Sequence, residues 1–140
     1  MNISMRIRRE VALESDRDEV YEAAKRLGEQ GLGLKRSQIT GLESVANGTQ
    51  KVSDVLDYVK RQTARHKEWS VIGPALLTYI EETVRKKREA IVQRLKDANP
   101  KIDDYQQQEI AIQLVRALIA QIAAQYEYAS MLSRKDARDD

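Results

Sequence analysis

Apolar residues recur along most of this chain at spacings of three and four, the period of a helix buried on one side. Val20, Ala24 and Leu27 form a thin stripe, and Ile39, Leu42 and Val45 a second one. Val52, Leu56, Val59 and Thr63 follow, with Val55 beside them; Leu77, Ile80, Val84, Ile91 and Leu95 then share one face. The widest stripe is the last: Ile110, Leu114, Val115, Leu118, Ile119, Ile122 and Tyr126. It is broad enough to touch more than one neighbour.

Start and stop signals divide these stripes into helices. Ser15, with Asp18 three positions on, is an approximate capping box, and Asp16, Asp18 and Glu19 suit the positive end of a helix. That helix is predicted to end about Gly28, where GEQGLGL makes a loop. Ser37 caps a short helix that stops at Asn47-Gly48. A third helix is expected from about Gln50 to Glu68. Gly73-Pro74 breaks the chain, and Pro74 opens a fourth helix, reaching about Asp97. Asn99-Pro100 ends it, and Asp103 or Asp104 caps a last helix running to about Met131. Short connections of this kind predict an all-α, single-domain antiparallel bundle of four to five helices, with the last two as its spine.

The first residues follow another pattern. Met1, Ile3, Met5, Ile7, Val11 and Leu13 fall on alternate positions, with Asn2, Ser4, Arg6 and Arg8 between them. Period two is a strand signal. Residues 1–14 are therefore expected to form an N-terminal arm, extended or strand-like, that would need a partner edge. The alternative is an early start to the first helix. Residues 15–132 form the expected bundle domain, and SRKDARDD at 133–140 a polar tail that frays.

Composition narrows the classes. With 140 residues, 41% of them apolar, the chain fits one domain with one core. It has no Cys, so disulfides and thiolate metal sites are excluded. Against 24 Lys+Arg stand 22 Asp+Glu, so any affinity for anions must come from the arrangement of charge. No apolar run reaches the roughly 18 residues of a membrane span. MNISMRIRREV has no apolar core of signal-peptide length. The expectation is a cytoplasmic protein without a membrane partner.

No catalytic constellation is legible, and no cofactor is expected. The single His66 has no second His or Cys with which to hold a metal. Projected on the third helix it falls near Val55 and Val59, as a histidine packed at the core margin. Ser37, Ser44 and Ser53 have no adjacent base. GEQGLG lacks the Gly-Lys-Ser/Thr ending of a phosphate loop.

Charge placement says more. In YVKRQTARHKEW, Arg61 and Arg65 lie four apart on the face opposite the apolar stripe, with Tyr58 nearby. Two guanidiniums beside a phenol suit a phosphate backbone and a stacked base. Taken alone, the stretch fits better an ordinary wet face on which Arg61 pairs with Asp57 or Asp54. On the fourth helix, VRKKRE sets Lys87 and Arg88 where the apolar stripe should continue. Such cations must reach water, meet carboxylates or face a polyanion. Lys35 and Arg36, and Arg6, Arg8 and Arg9, could extend a basic track.

Ser37-Gln38-Ile39 opening a short helix, the longer helix ending in YVKRQTARHKEW, and the closing ALIAQIAAQYEY together resemble the small helical subunit of type III CRISPR interference complexes. The resemblance covers most of residues 34–132. The N-terminal segment and VRKKREAIVQRLKDANP depart from it. It implies a non-catalytic subunit that stacks with copies of itself and other effector subunits along a ribonucleoprotein filament. Its basic residues would touch the guide RNA and target backbone without reading sequence. Arg61 and Arg65 fit the matching stretch, with Lys35 and Arg36 just before it; Lys87 and Arg88 come from the charge argument alone. The competing expectation is a helical adaptor or dimerisation module, using one side of the last stripe around Ile119 and Ile122. A small regulatory protein of a plasmid or toxin–antitoxin system, adding its arm to a partner, is a third.

Overall fold

The computed structural model describes residues 1–139, with side-chain surroundings through Lys135. Helices α1 (Ile3–Ser15), α2 (Asp18–Gln30), α3 (Arg36–Gly48) and α4 (Val52–Arg65) come first. A 3₁₀ turn at Lys67–Trp69 leads to α5 (Ile72–Thr78). A π segment at Tyr79–Val84 joins α5 to α6 (Arg85–Arg94) without a break, and α7 (Asp104–Asp139) closes the chain. Among the described residues there is no strand. Side-chain contacts order these elements into five rods, alternately up and down: α1–α2, α3, α4, α5–α6 and α7.

The directions follow from named pairs. Gly28 on α2 lies against Ile122, Gln125 and Tyr126, while Gln121 Nε2 donates to the Ser15 carbonyl at 2.9 Å, so α1–α2 rises alongside α7. Helix α3 descends beside it. The Tyr126 hydroxyl donates to the Leu34 carbonyl at 2.6 Å at one end. At the other end, Arg116 donates to the carbonyls of Ala46 (2.9 Å) and Thr49 (2.6 Å). A guanidinium there satisfies carbonyls left open at the end of α3 and meets the negative end of its dipole. Helix α4 rises again. Its Thr63 lies against Gly73 at the start of α5, where an added Cβ would collide with the Thr63 hydroxyl.

The core is continuous around α7. Ile110, Ile112, Val115, Leu118, Ile119 and Ile122 are all buried, against residues from every other rod. Ile119 and Ile122 are thus consumed inside the bundle, and the breadth of the last stripe serves internal packing rather than an oligomer interface.

The N-terminal arm is corrected. Residues 3–15 are helical, capped by the Asn2 side chain, which accepts from the Met5 N–H at 2.9 Å. The period-two pattern also contains Ile3, Ile7 and Val11 at spacing four. Ile7 and Val11 are buried and Ile3 packs on the core, whereas Met1, Met5 and Leu13 are exposed. Helix α7 likewise continues through Asp139 instead of stopping near Met131. Of the expected polar tail, residue 140 lies outside the described residues.

Lys87 is corrected as well. It sits on the buried face of α6, between Val84 and Ile91. Its Nζ is 3.0 Å from Glu14 Oε1 and 2.6 Å from Glu19 Oε1. Arg94 adds bonds to Glu10 (2.8 Å) and to the second oxygen of Glu14 (3.1 Å), and Arg17 lies 3.2 Å from that same oxygen. The polar break in the apolar stripe is therefore an ion-pair network joining α6 to the α1–α2 junction. Burial by itself would raise the Glu14 pKa. The Lys87 hydrogen bond and the charges of Lys87, Arg17 and Arg94 outweigh it and hold the carboxyl below its ordinary 4.5. Glu19 is lowered too, chiefly by its hydrogen bond from Lys87. For Lys87, burial works downward, but the bonds to Glu19 and Glu14 win and raise it above 10.5.

Removing Lys87 would leave Glu14 buried beside weaker partners. Lys87→Met is expected to cost about 3 kcal/mol, read as a lower urea midpoint at pH 7. Depressed carboxylate pKa values contribute stability above the ordinary glutamate value and lose it as pH falls through the folded value. The raised lysine contributes below its unfolded value and loses it as pH climbs through the folded one. The gap between wild type and Lys87→Met is therefore widest near neutrality and narrows below pH 4.5 and above 10.5. A second test separates packing from helix propensity. A Cβ on Gly28 would lie 2.8 Å from Gln125 Cβ and 3.1 Å from the Tyr126 backbone nitrogen, whereas one on Gly48 meets nothing within 4 Å. Gly28→Ala should cost about 1–3 kcal/mol, and Gly48→Ala should gain about 0.4–1 kcal/mol, in the same assay.

Candidate nucleic-acid interface

Helix α4 ends at Arg65, three residues before the expected limit and with no glycine or proline to stop it. The cause is Trp69. Its side chain is completely buried and meets the Tyr58 ring edge-on, with centroids 6.2 Å apart. Carrying the helix on would turn Trp69 elsewhere. Instead His66 becomes extended (φ −130°, ψ 116°), and the Trp69 N–H bonds back to the His66 carbonyl at 3.0 Å. His66 is thus not a core-margin residue: its side chain is 46% exposed, with Nδ1 4.0 Å from Glu68 Oε1.

This end of α4 lies beside the start of α3. Gln38 Oε1 accepts from the Lys35 backbone N–H at 2.8 Å and caps α3, while its amide nitrogen donates to Glu68 at 3.0 Å. The Glu68 backbone N–H and that Gln38 amide hold the Glu68 carboxyl below its ordinary pKa, and the charges of His66 and Lys35 add to the effect. Gln38 is the middle residue of the Ser-Gln-Ile opening, so this motif acts structurally and pins the α3–α4 hairpin at its basic end.

Four of the sequence-predicted residues gather on this hairpin. Lys35 and Arg36 stand exposed at the head of α3, with Arg36 Nη2 3.2 Å from Glu127. Arg61 and Arg65 are exposed on α4, and no described carboxylate lies within 4.0 Å of either guanidinium. Asp54 and Asp57 do not pair with Arg61; the Asp54 carboxylate instead accepts from the Thr49 hydroxyl at 2.6 Å. Arg61 borders a cleft of about 410 Å³ between α3 and α4, lined also by Ser44 and Gly48 of α3 and by Asp54 and Asp57 of α4. His66 and Lys67 are exposed at the same end. Sequence reasoning put them inside the helix, and only Trp69, read as an obligatory core residue, could have signalled the change.

The other three positions part from this group. Tyr58 is half-buried, packed on Trp69 and set so close to Gly41 that a Cβ there would strike its hydroxyl; burial raises its pKa. Its ring is a hairpin spacer, not a free stacking platform. Lys87 is committed to the internal ion pairs and is unavailable to a ligand. Arg88 faces a different cleft, toward Gln108. Among the described residues no group of three or more acids or histidines could hold a metal ion, and no helix is long and apolar enough to cross a membrane.

Surface cations without internal partners should be dispensable for folding. Arg61→Gln with Arg65→Gln is expected to change stability by less than about 0.5 kcal/mol, whereas Arg94→Gln, which unpairs Glu10 and removes one of the three cations around buried Glu14, should lower the urea midpoint clearly.

Comparison with family models, with curated proteins and with solved structures finds no match, so the likeness to the CRISPR small subunit rests on the residues of this chain alone.

Proposed function

We propose that the chain is a non-catalytic helical module that holds nucleic-acid backbone within a larger cytoplasmic ribonucleoprotein assembly, through the exposed side of the α3–α4 hairpin. The observation that supports this most is the pair Arg61 and Arg65. They are one helical turn apart and exposed, with no described carboxylate within 4.0 Å, and Lys35, His66 and Lys67 are also exposed on the hairpin. Guanidiniums donate to phosphate oxygens in a fixed fork, and the Ser44 hydroxyl bordering the same cleft is a second kind of phosphate donor. Nothing in this surface supplies a deep, directional set of base contacts, so the reading is backbone contact without sequence preference. Guide RNA and target backbone, other effector subunits and further copies of this chain are the partners that the family likeness supplies. Lys87 is left out of the contact set.

A second reading, that of a protein–protein adaptor, has its own observation. Tyr126 is the last buried residue among those whose surroundings are described, and α7 continues beyond it with Tyr128, Met131 and Leu132 exposed at spacings of three and four. That face suits a protein partner and leaves the α3–α4 surface unused.

Anisotropy titration of a short labelled RNA across salt concentrations separates the two. Backbone contact predicts affinity falling steeply with salt, and Arg61→Gln with Arg65→Gln should flatten the log–log slope by about 1.4 for a single strand or 1.8 for a duplex. Unchanged binding in that variant, or salt-insensitive binding by both the chain and the assembled particle, overturns the proposal. Loss of partner capture on Met131→Asp with unaltered RNA binding favours the adaptor.

A further inference from the structure

The far end of α4 carries a cleft that neither reading uses. Lys51, Val52 and Ser53 at the head of α4, Arg88 of α6, and Gln108 and Ala111 of α7 line about 300 Å³. Two cations from separate rods line it and no carboxylate does. The Arg88 Nε is buried and has no hydrogen-bond partner among the described residues. Its terminal nitrogen comes only within 3.8 Å of the exposed Glu89 carboxylate, beyond hydrogen-bond reach. The Arg88 side chain as a whole is 31% exposed, so it is the accessible end of the guanidinium, and not the enclosed Nε, that can take an acceptor from the cleft.

Neutral donors line the cleft as well. The Ser53 hydroxyl and the Gln108 amide border the space, and no side chain caps α4 at this end. The Lys51 N–H is already taken by the Thr49 hydroxyl oxygen at 3.0 Å, so the chain is held in place while the side chain of Lys51 stays exposed. A carboxylate ligand would neutralise only one of the two cations. A phosphate carries about −1.5 to −2 at neutral pH and several acceptor oxygens, and so matches both.

We infer that this cleft between α4, α6 and α7 is a phosphate-binding site, centred on Lys51 and Arg88. The phosphate is either free or terminal on a small ligand, or a diester of a polynucleotide backbone. The site is independent of Arg61 and Arg65, which lie farther along α4 on its α3 side.

Isothermal titration of the full chain tests it, with inorganic phosphate, adenosine monophosphate and a diester-only dinucleotide as probes, at constant ionic strength in sodium chloride. Saturable binding of at least one probe to wild type, weakened about tenfold or more in Arg88→Gln and in Lys51→Gln but unchanged in Arg61→Gln with Arg65→Gln, supports the site. Preference for the first two probes assigns it to a free or terminal phosphate, and preference for the dinucleotide to backbone. Lys51 is exposed, so its variant reads binding even if Arg88→Gln loosens the fold. No saturable binding by any probe, or equal binding by wild type and Lys51→Gln, overturns the inference. Neither result bears on the α3–α4 proposal, whose readout is the salt slope at Arg61 and Arg65.

Discussion

The Lys87–Glu14 pair sets the position of much else. Four rods around a common helix could slide or rotate against one another with little change in apolar contact, because leucine, isoleucine and valine interlock without direction. A buried ammonium between two carboxylates tolerates no such freedom. It fixes α6 against the α1–α2 junction at one height, and Arg94 with Glu10 and Arg6 with Asp97 repeat the fastening along α1. Burying Lys87 and Glu14 costs several kcal/mol per ion before their attraction is counted. The network is therefore a device for register more than for net stability, and its satisfaction from both sides is what makes the burial tolerable.

Rod number, rod order and most of the core were legible in the sequence, because each rests on local periodicity and local caps. Val55, Val59, Ile80, Val84, Ile91 and Ile122 lie buried as their spacing predicts. The first segment was misread because its apolar residues satisfy two periods at once, and only burial shows that spacing four governs. Residues 58–69 were misread for another reason: helical projection assumes that the helix continues, and its end is dictated by a tryptophan that must reach the core. The interruption at Lys87 was visible in the sequence, yet its cause was not. Glu14 lies 73 positions away, and no local spacing connects them.

The same contrast sorts the candidate site. Arg36, Lys87, Arg88 and Arg94 each come within 4.0 Å of a carboxylate, while Arg61 and Arg65 do not. A solvated helix face normally softens like charges at this spacing with an acid one turn away, since an unrelieved pair costs about 0.2–0.5 kcal/mol. Asp57 is in sequence position to do so for Arg61 and remains apart from it. The last turn of α4 does favour a cation at Arg65 through the helix dipole, but Arg61 lies too far up the helix to share fully in that effect. Within the fold, then, neither guanidinium has a carboxylate within 4.0 Å, and Asp54 and Asp57, which line the same cleft as Arg61, relieve its charge only from a distance. The hairpin therefore carries its two unpaired guanidiniums beside a cleft whose lining holds carboxylates as well as hydroxyls, and that mixture is what the proposed contact with a polyanion has to accommodate.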